Sequence, residues 1–91
     1  MGTAAFPGGD LVEKGLSDLQ SGRETVEALL VSVGAPRLRR IGFDVPPPFE
    51  SPERRLYERL AAEDPDSAHG RFNALIRRLV SFERAAECAA P

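Results

Sequence analysis

At 91 residues with a formal net charge of −2, the chain has room for one domain and is not composed as a general polyanion binder. A chain this short buries only roughly 64% of its extended surface on folding, and its single cysteine, Cys88, excludes an internal disulfide. One His and one Cys are too few for a structural zinc site, so self-association is the expected source of further stability.

Residues 1–9, with Gly2, Pro7, Gly8 and Gly9, have no periodicity and read as a flexible lead-in. They hold no basic region followed by an apolar run, so no signal peptide is expected. No stretch approaches the about 20 apolar residues that span a bilayer. A lone thiol suits a reducing compartment, and the expected location is cytoplasmic with no membrane partner. A single helical domain is expected over 10–87, followed by a tail, 88–91, that frays.

Asp10 reads as the cap of a first helix. Its apolar stripe is Val12, Leu16, Leu19, Val26, Leu30 and Val33, a heptad seam in which Arg23 fills the one missing place. Ser21 with Glu24 matches a capping box and offers a break near Gly22 as the alternative. The stripe keeps its phase across that point, which favours one helix over 10–33, about 36 Å long.

Gly34 and Pro36 predict a stop, and 37–41 a short helical turn closed by Gly42. Residues 45–49, Val-Pro-Pro-Pro-Phe, read as an extended spacer pinned by Phe43 and Phe49. Ser51-Pro52-Glu53 starts a third element with Leu56, Tyr57 and Leu60 on one face. Arg54–Glu58 and Arg59–Glu63 stand at i,i+4 on the other face. It ends before Pro65. The last helix, capped by Asp66 or Ser67, carries Ala68, Phe72, Leu75, Leu79, Phe82 and Ala86, broadened by Ile76 and Val80.

The expected fold is therefore all-α: a helical bundle on two long amphipathic helices plus one or two short ones, the long pair antiparallel. Dimerisation would complete the bundle by burying Leu29, Ile76 and Val80. In that reading Arg23 sets the register of a seam made of Val12, Leu16, Leu19, Val26, Leu30, Val33, Phe72, Leu75, Ile76, Leu79 and Phe82. Glu83 falls at the edge of the apolar arc, near the expected fraying end.

No catalytic, cofactor or metal site is predicted. His69, Arg71 and Asn73 cluster near the start of the last helix, but His69 and Arg71 point about 200° apart. Cys88 has no neighbouring cations to activate it. Glu63, Asp64 and Asp66 lack the spacing of a calcium loop. What remains is Arg37, Arg39, Arg40, Arg77, Arg78 and Arg84 as a candidate interaction surface. The best sequence reading is a non-enzymatic, self-associating protein-interaction module of accessory or regulatory kind, antitoxin-like in size. A dimeric nucleic-acid-associated protein using the arginine clusters is the alternative, and a small helical ribonuclease the third.

Overall fold

The computed structural model describes residues 5–89, which form four helices and no strand: α1 (Gly9–Gln20), α2 (Val26–Ile41), α3 (Pro52–Glu63) and α4 (Ala68–Ala89). The all-helical expectation holds. No described helix is long and apolar enough to cross a membrane.

The single rod over 10–33 is overturned. The chain leaves α1 at Ser21, passes through Gly22 at φ +76°, and re-enters a helix at Thr25, whose backbone is extended. Thr25 Oγ1 accepts the Ala28 N–H at 3.1 Å, as an N-cap does, and donates to Asp18 Oδ2 at 2.7 Å. The Arg23 N–H bonds the Asp18 carbonyl at 2.8 Å. Arg23 is therefore not a seam residue: it lies in the connection, largely exposed, 3.4 Å from Asp18. Phase could not reveal this, because a helix folded back on its neighbour presents its stripe to the same core as a straight continuation would.

Other expected boundaries also move. α1 starts at Gly9 after a left-handed Gly8, so Asp10 lies in the first turn and is not the cap. α2 continues through Gly34 and Pro36, so 37–41 is its last turn and not a separate one; Gly42 still closes it, at φ +120°. Proline removes one helical N–H and costs about 3 kcal/mol in a helix interior. Continuing the helix buries Leu38 completely, which returns roughly 1.5–3 kcal/mol.

α2 is the hub, with half of its 16 residues buried against its neighbours. Two glycines set how closely those neighbours approach. A Cβ on Gly15 of α1 would overlap the Glu27 carbonyl oxygen and Val31 Cγ2 of α2. On Gly34 of α2 it would lie 3.0 Å from Leu79 Cδ2 and 3.1 Å from Glu83 Oε2 of α4. Residues 25–27 line a common cleft with residues of the 71–78 stretch, and Arg37 reaches Glu83 and Glu87. Contacts advance together along both helices, so α2 and α4 cross in the same sense and not as the expected antiparallel pair.

The linker over 43–50 has no helix or strand, and the expected spacer is pinned at both ends. Phe43 packs on Phe82 with ring centroids 5.5 Å apart, and the Phe49 N–H donates to Ser32 Oγ at 3.2 Å. Phe6 meets the same Phe82 edge-on at 6.0 Å, so this residue of the expected lead-in is packed. Ser51 precedes α3 without a side-chain cap bond. Neither expected i,i+4 pair on α3 is the contact made: Arg59 donates to the Glu24 carbonyl, and Glu63 pairs with Arg71. α4 reaches Ala89, so Cys88 of the expected tail is helical; residues 1–4 and 90–91 lie outside the described residues.

One chain now covers much of what a partner copy was expected to cover. Val12, Leu19, Leu29, Leu30, Leu79 and Phe82 are all buried in it, while Val33, Ile76 and Val80 remain half-buried.

Gly15→Ala is expected to destabilise the chain by about 1–3 kcal/mol, because the new methyl meets backbone. Gly70→Ala, in open space on α4, is expected to stabilise it by about 0.5–1 kcal/mol. Urea titration followed by circular dichroism reads both; equal effects would contradict the close α1–α2 approach.

Candidate functional site

A surface cleft with a volume of about 690 Å³ lies where α2 begins, α3 ends and α4 passes beneath them. Val26, Ala74 and Leu75 give it an apolar floor, and Arg59, Arg71 and Arg78 stand around it with Glu27 and Glu63. Arg71 and Arg78 share a face of α4 because seven residues make almost two turns. Arg59 joins them only because α3 runs back along the start of α2.

Each guanidinium has a local partner. Arg71 Nη1 is 3.0 Å from Glu63 Oε1, Arg78 Nη2 is 3.3 Å from Asp10 Oδ1, and Arg59 donates to the Glu24 carbonyl. Glu27 is 3.5 Å from Lys14. Exposed pairs of this kind contribute about 0–1 kcal/mol. They hold the side chains over the cleft, and breaking them costs little.

The six arginines singled out in the sequence do not form one surface. Arg39 donates to the Val45 and Pro46 carbonyls at 3.1 and 3.3 Å, a structural role in holding the linker. Arg37 binds Glu87 at 2.9 Å and, with Arg40, lines a second, smaller slot between α2 and α4. Arg77 and Arg78 line a shallow groove with Pro7 and Gly8, and Arg84 is exposed. Only Arg78 belongs to the cleft. Arg59 and Arg71 were not assigned to this surface: Arg59 was read as half of an i,i+4 pair and Arg71 as part of a polar cluster with His69 and Asn73, and nothing local marks their convergence.

The slot contains the most unusual charge. Glu83 is 4% exposed, and its ion pair with Arg37 spans 3.7 Å, beyond hydrogen-bonding reach. Burial pushes its pKa above the ordinary glutamate value, with Arg37 and Arg40 partly opposing the shift. Glu83 is thus no residue of a loose helix end. Asp18 is the opposite case: bonds from Lys14 at 2.6 Å and from Thr25 hold its carboxyl below the usual range, and Lys14 is correspondingly raised.

The polar cluster at the start of α4 comes apart. His69 Nε2 lies 3.2 Å from Asn73 Nδ2 on the surface, whereas Arg71 turns to Glu63. Cys88 is exposed. Among the described residues no three His, Cys, Asp or Glu side chains are grouped to hold a metal ion.

The two carboxylates predict opposite pH behaviour. The raised Glu83 pKa means the native chain holds a proton that the unfolded chain loses as pH rises above about 4, so ionised Glu83 is a liability at neutral pH. Glu83→Gln is expected to raise the melting temperature at pH 7, by less as pH falls. The lowered Asp18 pKa contributes stability that is present above its unfolded value and lost as pH falls through its folded one. Asp18→Asn is expected to lower the melting temperature at pH 7, with the deficit closing below about pH 4. Calorimetric melts of both variants from pH 3 to 8 check the signs.

Compared with known proteins, the chain matches no family model, no curated protein and no solved structure.

Proposed function

We propose that the protein is a non-enzymatic interaction module whose arginine-lined cleft receives an acidic, amphipathic segment of a protein partner. The observation that supports this most is the convergence of Arg59, Arg71 and Arg78, from two helices, over the apolar patch of Val26, Ala74 and Leu75. Apolar contact supplies affinity there, and displaceable guanidiniums supply orientation and bidentate recognition of carboxylates.

A separate partner fits better than a second copy. The homodimer expectation rested on two long rods with uncovered edges, and the return of the chain at 21–25 removes that ground. The nucleic-acid reading needed both arginine clusters on one surface; Arg37 and Arg39 are instead engaged within the fold.

Two measurements test the proposal. Light scattering on the purified chain is expected to return the monomer mass. Capture from the native cell extract is then compared between the parent and a variant carrying Arg59→Ala, Arg71→Ala and Arg78→Ala. A partner with an acidic segment is expected with the parent, its recovery at least about tenfold lower with the variant, in line with the loss of 1.4 kcal/mol or more of binding. Unchanged melting temperature shows that folding is not the cause. Equal recovery with both proteins would sink the reading.

A further inference from the structure

The slot between α2 and α4 lies on a different flank of α4 from the cleft: Ile76 and Val80 line it, whereas Ala74 and Arg78 line the cleft, about 120–160° around the helix. What is inferred for it is independent of the cleft.

Three observations converge on the slot. Glu83 is buried at its base and accepts no hydrogen bond among the described residues; its nearest cation, Arg37, is 3.7 Å away and directs its other nitrogen to Glu87 at 2.9 Å. The Glu83 oxygens are not sealed off, since no fully buried side-chain oxygen among the described residues lacks a hydrogen-bond partner, so a donor entering the slot can reach them. Arg40 stands at the rim without an ion pair among the described residues, close enough to Glu83 to lower its pKa. Between these charges the walls are aliphatic: Val33, Ile76, Leu79 and Val80, with Pro36. The volume is about 270 Å³, near the lower end of small-ligand pockets.

The charges narrow the ligand class. Arg37 is already paired with Glu87, which leaves Glu83 and Arg40 as the charges open to a ligand: a bare amine would leave Arg40 without a counter-ion, and a bare carboxylate would leave Glu83 without a donor. A zwitterion satisfies both ends. We propose that this slot binds a free α-amino acid with an aliphatic side chain. Its ammonium donates to Glu83, its carboxylate meets Arg40, and its side chain lies on Val33, Ile76 and Val80. Ammonium-to-carboxylate hydrogen bonds are charge-assisted, and the apolar walls strengthen them by excluding water.

The test is a titration of the full-length, nitrogen-15-labelled chain at pH 7 with L-leucine, 3-methylbutylamine and 4-methylpentanoate, followed by amide chemical shifts. L-leucine is expected to give saturable shifts confined to residues 33–40 and 76–83, with both single-charge compounds at least about tenfold weaker. Glu83→Gln and Arg40→Ala are each expected to weaken L-leucine by about tenfold or more while keeping dispersed, folded spectra. Arg40 is exposed, so its variant keeps the test valid if the first one misfolds. Absent or non-saturating shifts with L-leucine, undiminished binding by either folded variant, or amine binding equal to that of L-leucine would each overturn the proposal.

Discussion

The Asp18 carboxylate decides the shape of the molecule. It sits at the end of α1, 5% exposed, and receives Lys14 from its own helix and the Thr25 hydroxyl from the next. Thr25 in turn caps α2. One acceptor thus ties the last turn of one helix to the first of the other and turns a continuous seam into a hairpin. An unpaired carboxylate at this depth would be costly, so its partners and the chain reversal require each other. Gly15 then lets α1 lie close on α2, which covers Val12, Leu19 and Leu30 without a second subunit.

The path of α2 over α4 follows from that packing and creates both surface depressions. At the crossing, Gly34 has no Cβ and the helices meet on Leu79 and Glu83. Away from a close crossing point helices diverge, and the space on either side is filled only by side chains. On one flank the beginning of α2 and the end of α3 leave the arginine-lined cleft; on the other, the last turns of α2 leave the slot over Glu83. Close approach at one glycine explains why the two sites lie on different flanks and why a carboxylate at the crossing is shielded.

The arginines divide by how firmly they are held. Arg39 is bonded to two linker carbonyls and Arg37 bridges two glutamates, so both are part of the scaffold. Arg71 and Arg78 are paired across half-exposed surface, where solvent keeps such pairs weak. A planar guanidinium can exchange one carboxylate for another without losing its geometry, which suits the second group to recognition.

Secondary structure was largely legible because it is local. The stripe from Ala68 to Ala86, the Ser51-Pro52 start and the Gly42 stop each depend on neighbours within a few residues, and α3 and α4 appear where they were expected. The break at 21–25 was visible as an alternative, yet hydrophobic phase argued against it, since phase records which face is buried and not where the chain turns. Nothing local marks the burial of Asp18 or the meeting of Arg59 with Arg71, and Glu83 showed only as a charge at the edge of the apolar arc, because burial and convergence are relations between helices distant in sequence. The sequence alone therefore determined an all-helical chain and the apolar face of its longest helix. Tertiary packing alone decided the hairpin, the crossing at Gly34, and which of many similar charges meet, because those depend on contacts that no periodicity encodes.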